Sequence, residues 1–357
     1  MAEKLRKVAI VTLYDDINIG NKLQNYAMQE ILKNYFDSVS TLSYSEAKQM
    51  APDMGWRGKI IAKIGFPAKI AREKRAILKR RKKFEKFSSK YLDVTLPKSF
   101  SEYNDEFVQQ FDKIIVGSDQ VWHNWSMSDI ELRYFFLEFV PREKRICIAP
   151  SFGLDEIPIE FIEKYKKGLD GFIYLSCREK KGCQIINDLC QRKAILLPDP
   201  TMCVKREIWD NISVKPVYDI PDKFILAYFI GKISDKTKRE IDKMSKYLKM
   251  KVINIYDICQ PDYYVTSPEE FIYLISHAQY VVTNSFHASV FSIMYHVNFH
   301  CFSRDDAIGV GMSDRIETLL TTFDIDNGQL IHNYKRVDII QEEQIATMKN
   351  YIDLVLS

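Results

Sequence analysis

A two-domain α/β fold built on parallel sheets is the class this sequence predicts, and three observations carry the prediction. At 357 residues the chain exceeds what one ordinary hydrophobic core accommodates, so two domains are expected. Short apolar runs rich in β-branched residues alternate with stretches of helical period, the rhythm of a parallel sheet covered on both faces. Polar clusters follow those runs directly, at the carboxyl ends of strands where open α/β sheets bind ligands.

The elements follow in order. Val8–Leu13 reads as a strand and Asp15–Gly20 as the polar loop after it. Asn21–Phe36 is amphipathic, with Leu23, Tyr26, Ala27, Ile31 and Tyr35 in helical register. A basic helix starts near Pro67, a residue suited to a first turn, and reaches Tyr91. Phe111–Val116 is a strand cut off by Gly117-Ser118-Asp119-Gln120, and Arg145–Ala149 is a strand followed by Pro150-Ser151-Phe152-Gly153. Glu160–Leu169 is a helix and Phe172–Leu175 a short strand, after which Ser176-Cys177-Arg178-Glu179 opens a helix. Ala194–Leu197 is a strand ending at Pro198-Asp199-Pro200-Thr201. Residues 204–222 show little periodicity and mark a domain boundary.

The pattern then restarts with the strand Phe224–Ile230, the helix Thr237–Leu248 and the strand Lys251–Ile255. Ser267-Pro268-Glu269-Glu270 starts a helix, with Ser267 as N-cap, Pro268 in the first turn and Glu270 completing a capping box. That helix hands over to the strand Tyr280–Val282, and a further helix carries Val290, Phe291 and Met294. Asn298–Phe302 is the next strand, and Ser313–Phe323 and Gln341–Leu356 are helices. The expected division is 1–205, 206–335, and a C-terminal helix in 336–357 that can pack back on the first domain.

A hydrophobic content of 46% with 28% charged residues describes a soluble globular protein rather than a disordered one. No apolar run is long enough to span a bilayer. Met1-Ala2-Glu3-Lys4 leads straight into the first strand without a signal-peptide pattern, so a cytoplasmic location is expected. The seven cysteines are scattered with no CxxC pair, as free thiols in a reducing compartment would be. No two candidate ligands stand at zinc-site spacing.

The net charge of +3 is unevenly spread. Residues 56–90 hold fourteen Lys/Arg and two Asp/Glu, a local +12, which leaves −9 for the rest of the chain. Ile70, Ile77, Phe84 and Tyr91 repeat every seven residues, with Phe87 on the same side, giving one apolar stripe on a very basic helix. A solvated helix docked by its stripe and a contact with an anionic membrane surface are the two readings that fit. Nucleic acid is the weakest of three readings and is not expected as a partner, because the aromatics lie on the stripe rather than among the charges and no nucleic-acid motif is present.

Five polar clusters sit after predicted strands: Gly117–Gln120, Ser151 with Gly153, Arg178, Asn284-Ser285 with His287, and Arg304. His287 follows the Val281-Val282-Thr283 strand end and can give or take a proton near neutral pH; it can equally cap or pack the turn. Two arginines and one histidine on separate strand ends suit an anion, since a guanidinium bonds two oxygens of a phosphate or carboxylate at once.

These residues also carry a resemblance. Ile114-Ile115-Val116-Gly117-Ser118-Asp119-Gln120-Val121-Trp122 resembles the GSDQ-V-W element of the polysaccharide pyruvyl transferase family. Ser151-Phe152-Gly153 resembles its A-S-F-G turn, Ser176-Cys177-Arg178-Glu179 its S-x-R-E element, and Asp199-Pro200-Thr201 its D-P-T. Thr283-Asn284-Ser285-Phe286-His287 with Phe291-Ser292 resembles T-D-S-F-H…F-S, and Asn18-Ile19-Gly20-Asn21-Lys22-Leu23-Gln24-Asn25-Tyr26-Ala27 is similar to N-Y-G-x-x-L-Q-x-Y-A. The matches keep their order over nearly the whole chain.

The resemblance implies two Rossmann-like domains facing across a cleft, a glycosyltransferase-B-like fold. It implies transfer of the three-carbon unit of phosphoenolpyruvate to two hydroxyls of one sugar, giving a cyclic ketal and phosphate, on a glycan usually still attached to a lipid carrier. His287 is then the expected general acid and Asp119 the opposing base, although Asp119 suits a helix N-cap or turn equally well. Arg178, Arg304, Ser285, Asn284 and Ser151 are expected around the donor, and Gln120, Asn124, Ser118, Asn21 and Gln24 around the acceptor. Some family members carry R-L-H where this chain has Ser285-Phe286-His287; the missing positive charge could come from Arg304 or Lys232. The N-terminus of the Asn21–Phe36 helix could hold an anion or line the acceptor side. No cofactor is expected, and no feature indicates a divalent metal. A nucleotide-sugar glycosyltransferase of the same fold class is one competing reading, but no clean G-x-G-x-x-G accompanies the strand ends. A non-enzymatic scaffold of a glycan-assembly complex, anchored by the basic helix, is the other.

Overall fold

The computed structural model describes residues 6–14, 17–44, 68–123, 128–231, 233–303 and 313–357. Two four-stranded parallel sheets organise it. The first has the order β2-β1-β3-β4, with β1 Lys7–Val11, β2 Ser38–Thr41, β3 Lys113–Val116 and β4 Arg145–Cys147. A short parallel pair, β5 Ser176–Cys177 and β6 Ile195–Leu196, lies beyond β4, tied to it by Arg178 N donating to Pro150 O at 3.0 Å. The second sheet has the order β10-β9-β7-β8, with β7 Phe224–Tyr228, β8 Lys251–Asn254, β9 Tyr280–Thr283 and β10 Phe299–Cys301.

Both sheets are covered on both faces, which is why their strands read as nearly unbroken apolar runs. Alternation sorts the side chains: Ala9 and Val11 enter one core with Ile114, Val116 and Trp122, while Val8 and Ile10 enter another with Ile115 and Ile146. In the second sheet Phe224, Leu226 and Tyr228 face one core, and Ile225 and Ala227 the other. The two Rossmann-like units of the expected fold class are therefore present. The strand expected at Phe172–Leu175 is displaced: β5 begins at Ser176, and Phe172 is core while Ile173 and Tyr174 are exposed. The aperiodic stretch after residue 204 contains a helix, Arg206–Ile212, whose Trp209 is fully buried.

Six helices carry the rest of the argument: α1 Ile19–Leu32, α2 Ala68–Tyr91, α3 Pro268–His277, α4 Phe286–Met294, α5 Ser313–Phe323 and α6 Val337–Leu356. The capping box of α3 is formed, Ser267 accepting from Glu270 N and Glu270 from Ser267 N. Every residue of α4 is buried. Helix α6 packs Met348, Tyr351, Ile352 and Val355 into the core of Val8 and Ile10, and Tyr351 Oη donates to Cys147 O at 2.9 Å. All seven cysteines are free thiols. Among the described residues no helix is long and apolar enough to cross a membrane.

The seam between the units is apolar. Ile19, Leu23, Tyr26 and Ala27 of α1, Phe84 and Phe87 of α2, and Phe271, Leu274 and Ile275 of α3 share one core. The stripe of the basic helix is thus its docking face: Phe84 and Phe87 are fully buried, and Ile77 and Tyr91 partly so. Residues 56–67 and the side chain of Ile70 lie outside the described residues. Arg72, Arg75, Lys79, Lys82, Lys86 and Lys90 form an exposed basic ridge on the opposite side. Arg80, one of the fourteen Lys/Arg counted in residues 56–90, is fully buried.

Candidate functional site

In each sheet the order of strands reverses at one point, between β1 and β3 in the first and between β7 and β9 in the second. Crevices at the carboxyl ends of strands open at such points. Asn21 follows β1, Asp119 follows β3 and His287 follows β9, so local sequence delivers all three to the two switch points. The packing of the units then brings the switch points together.

Asp119 and Asp199 flank one guanidinium. Arg178 Nη1 donates to Asp199 Oδ2, and Nη2 donates to Asp119 Oδ1 at 3.3 Å; all three side chains are buried. Asn21 Nδ2 donates to the other oxygen of Asp119. Asp199 also accepts from Thr201 N at 2.9 Å and Thr201 Oγ1 at 2.6 Å. His287 approaches from the second unit, its Nε2 lying 3.6 Å from Asp199 Oδ2, an ion-pair distance longer than a hydrogen bond. A side chain at Gly20 would overlap the imidazole Nδ1, so the first turn of α1 fits against His287 only because residue 20 lacks a Cβ. The Arg178 guanidinium also lies 4.7 Å from the ring centre of Phe286, which meets the His287 ring edge-to-face.

Electrostatics here are settled by opposing terms. Burial pushes the Asp119 carboxyl up, but Arg178, His287 and Arg315 outweigh it and hold the group below the usual carboxylate range. Asp199 goes the same way and further: burial raises it, and Arg178 and His287 more than reverse that. Burial lowers Arg178, and the two aspartates bring it above its ordinary value. The carboxylates and the guanidinium are therefore charged at neutral pH.

The other expected residues divide into two groups. Buried polar atoms without a protein partner occur on Gln24 (Oε1), Gln120 (Nε2), Ser151 (Oγ) and His287 (Nε2), and on Arg178 (Nε) and Glu179 (Oε2). The second group is spent on local architecture. Asn284 accepts from Ile230 N and donates to Ile230 O, stitching β7 to β9; Ser285 caps α4 through Ala288 N; Ser118 Oγ donates to Ala149 O at 2.9 Å. Asn18 accepts from Gly20 N and Asn21 N, so those first-turn amides of α1 already have an acceptor. Asp119 caps no helix; it sits at φ 69°, a left-handed turn that Asp tolerates. Trp122 is fully buried against Phe136. Asn124, Lys232 and Arg304 lie outside the described residues.

Three positions that meet the candidate side chains are not among the residues singled out for a role. Asp199 sits after β6, where the strand-end rule applied to the other clusters would have found it. Gly20 has its role only through the partner ring. Arg315 lies inside α5, buried, with its guanidinium 5.9 Å from the Phe286 ring centre; nothing in the pattern around it distinguishes it from a surface charge. Among the described residues no group of three or more His, Cys, Asp or Glu is arranged to hold a metal ion.

A family model described as polysaccharide pyruvyl transferase matches residues 18–306. No curated protein matches the chain. Similar solved structures include a UDP-GlcNAc 2-epimerase from Neisseria meningitidis bound to UDP-GlcNAc, at 8% identity and TM-score 0.47 over 99% of each chain. A UDP-GlcNAc 2-epimerase from Methanocaldococcus jannaschii in complex with UDP-GlcNAc and UDP has 10% identity and TM-score 0.45 over 97% of this chain and 99% of that one. A glycosyltransferase from Rickettsia africae has 10% identity and TM-score 0.46 over 98% and 94%.

Proposed function

The chain belongs to the polysaccharide pyruvyl transferase family, a family of transferases, and on that premise we propose that it moves the three-carbon unit of phosphoenolpyruvate onto two hydroxyls of one sugar. The product is a cyclic pyruvate ketal, and phosphate leaves. The observation that carries this reading is the meeting of His287 with the Asp199–Arg178–Asp119–Asn21 chain at two apposed switch points.

His287 protonates the methylene carbon of the enol, which becomes the methyl group, as positive charge develops on the neighbouring carbon. The first sugar hydroxyl adds to that carbon, and Asp119 takes its proton as the bond forms. A carboxylate held below its usual range is a weak base, but a hydroxyl adding to an oxocarbenium-like carbon becomes strongly acidic, so a weak base in position suffices. The second hydroxyl then displaces phosphate. Of the two hydroxyl protons lost, the balance places one on the methyl carbon and one on the departing phosphate. Asp199 places a negative charge beside the imidazole, and Arg178 keeps both aspartates charged. The donor's anionic groups face Arg178, Ser151 and Arg315; Gln120 and Gln24 face the acceptor. Asn284 and Ser285 support this site through the shape of their loop.

The acceptor is a polysaccharide precursor carried on a lipid at an anionic membrane surface, and the exposed ridge from Arg72 to Lys90 draws the enzyme there. Sedimentation with vesicles containing anionic lipid tests this; no binding at low salt sinks it. Thermal shift tests the donor, because a ligand that binds the folded state stabilises it by RT ln(1 + L/Kd), with L the free ligand concentration. A rise in Tm with phosphoenolpyruvate supports the reading. A rise only with UDP- or GDP-sugars overturns it in favour of a glycosyltransferase.

A further inference from the structure

Among the described charged residues of helix α2, Arg80 is the one that is fully buried. Its guanidinium lies on the same stripe as Phe84 and Phe87. Nη1 donates to Ile255 O at 3.1 Å and to Tyr264 O at 2.5 Å, both in the second unit. Nε and Nη2 donate to Ile17 O at 3.3 and 3.1 Å, in the loop that leads into α1. The rings of Phe84, Tyr256 and Tyr264 surround it with centres 4.9–5.0 Å away. Its charge is met by carbonyl dipoles and ring faces, an expensive way to bury a cation, and one that a helix docked through Phe84 and Phe87 does not need.

The loop that Arg80 grips is the one that builds the site. Ile17 precedes Asn18, which caps the first turn of α1; Gly20 of that turn abuts His287, and Asn21 holds Asp119. One planar group therefore ties the entry of α1 to the end of β8 and to Tyr264, setting the first unit's half of the site against the second. We propose that Arg80 is a positioning residue that fixes the distance between His287 and Asp119. The proposal rests on the reading of those two side chains as the reacting pair.

The test compares Arg80→Met, Arg80→Lys and Lys83→Met in the full chain. Lys83 also crosses the seam, but it pairs with Glu270 at 2.6 Å rather than with the Ile17 carbonyl. Amide hydrogen exchange over residues 17–22 and steady-state kinetics with phosphoenolpyruvate are the readouts. Arg80→Met is expected to speed exchange in that loop ~10-fold, a local opening. It should also lower kcat about 10–100-fold with little change in KM, since a small displacement of reacting groups is felt in kcat. Arg80→Lys should recover part of both losses, and Lys83→Met should lower Tm while leaving both readouts near wild type. Wild-type exchange in Arg80→Met overturns the proposal, as does equal loosening by Lys83→Met. If Arg80→Met does not fold, the exchange comparison falls to Arg80→Lys, where a wild-type rate is the overturning result. A wild-type protein whose Tm rises only with UDP- or GDP-sugars would overturn the functional reading instead, and the exchange data would still decide the role of Arg80.

Discussion

Replacing Arg178 by methionine removes its charge and donors while keeping much of its volume. The side chain is 1% exposed and stands between Asp199 at 0% and Asp119 at 7%. Without it two buried carboxylates share one site, and among the described residues His287 and Arg315 are the cationic groups left near them, beside the donors of Asn21 and Thr201. Removing one partner of a buried ion pair costs about 3–5 kcal/mol, because it strands the remaining charge rather than because the pair itself contributed that much. A folding unit of roughly 200 residues loses 2–4 °C per kcal/mol, so Tm should fall by about 6–20 °C. The pH dependence identifies the cause. In the native protein both carboxyls sit below their usual range, so their stabilisation is complete above the unfolded value of about 3.9 and is lost as pH falls through the folded values. In Arg178→Met burial and mutual repulsion prevail and the folded values rise above the unfolded one. Protonation then relieves the penalty, which should be greatest near pH 8 and shrink toward about pH 5. Urea or thermal denaturation across that range measures it. A variant as stable as wild type at neutral pH, or a penalty that does not change with pH, would refute the argument.

His287→Ala should lower turnover by about 10²–10⁴-fold with donor saturating, while the thermal shift with phosphoenolpyruvate persists; near-normal turnover removes His287 from the chemistry. Asp119→Asn keeps a residue that tolerates the left-handed backbone and isolates the charge. Its kcat should fall on the order of 10²-fold or more, with a smaller stability loss than Arg178→Met because Arg178 keeps Asp199, and retained activity would mean the base lies elsewhere. Gly20→Ala puts a methyl group into the imidazole and should cost about 1–3 kcal/mol by denaturation as well as activity. Adding His287→Ala to it should return most of that stability, and a double variant no more stable than Gly20→Ala alone would show that the overlap is not the cause.

Much of the site was legible because its residues obey a local rule. Asp119 and His287 each follow a short apolar strand, and that adjacency is visible without coordinates; Arg178 also stands at a strand end, although that strand is Ser176–Cys177 rather than the apolar run before it. The stripe through Phe84 and Phe87 was legible for the same reason, as was the Ser267–Glu270 cap. What failed were positions whose role is a partner far along the chain. Arg80 and Arg315 sit in helices among other charges, and only burial sets them apart. Ser285 and Asn284 occupy the expected strand end, yet their polar atoms serve the backbone of their own unit, which sequence position cannot distinguish from serving a ligand.

The sequence by itself determined that there are two parallel sheets, which runs are buried, and which side chains stand at the strand ends, because hydrophobic period and strand termination are properties of neighbouring residues. The tertiary structure alone decided what those side chains face. Asn21 reaches Asp119 across 98 residues, Arg178 reaches Asp119 across 59, and Arg80 reaches Ile255 across 175. Such meetings depend on how α1, α2 and α3 pack in the shared core, and that packing is fixed by shape and volume over the whole seam, for which no local pattern stands in.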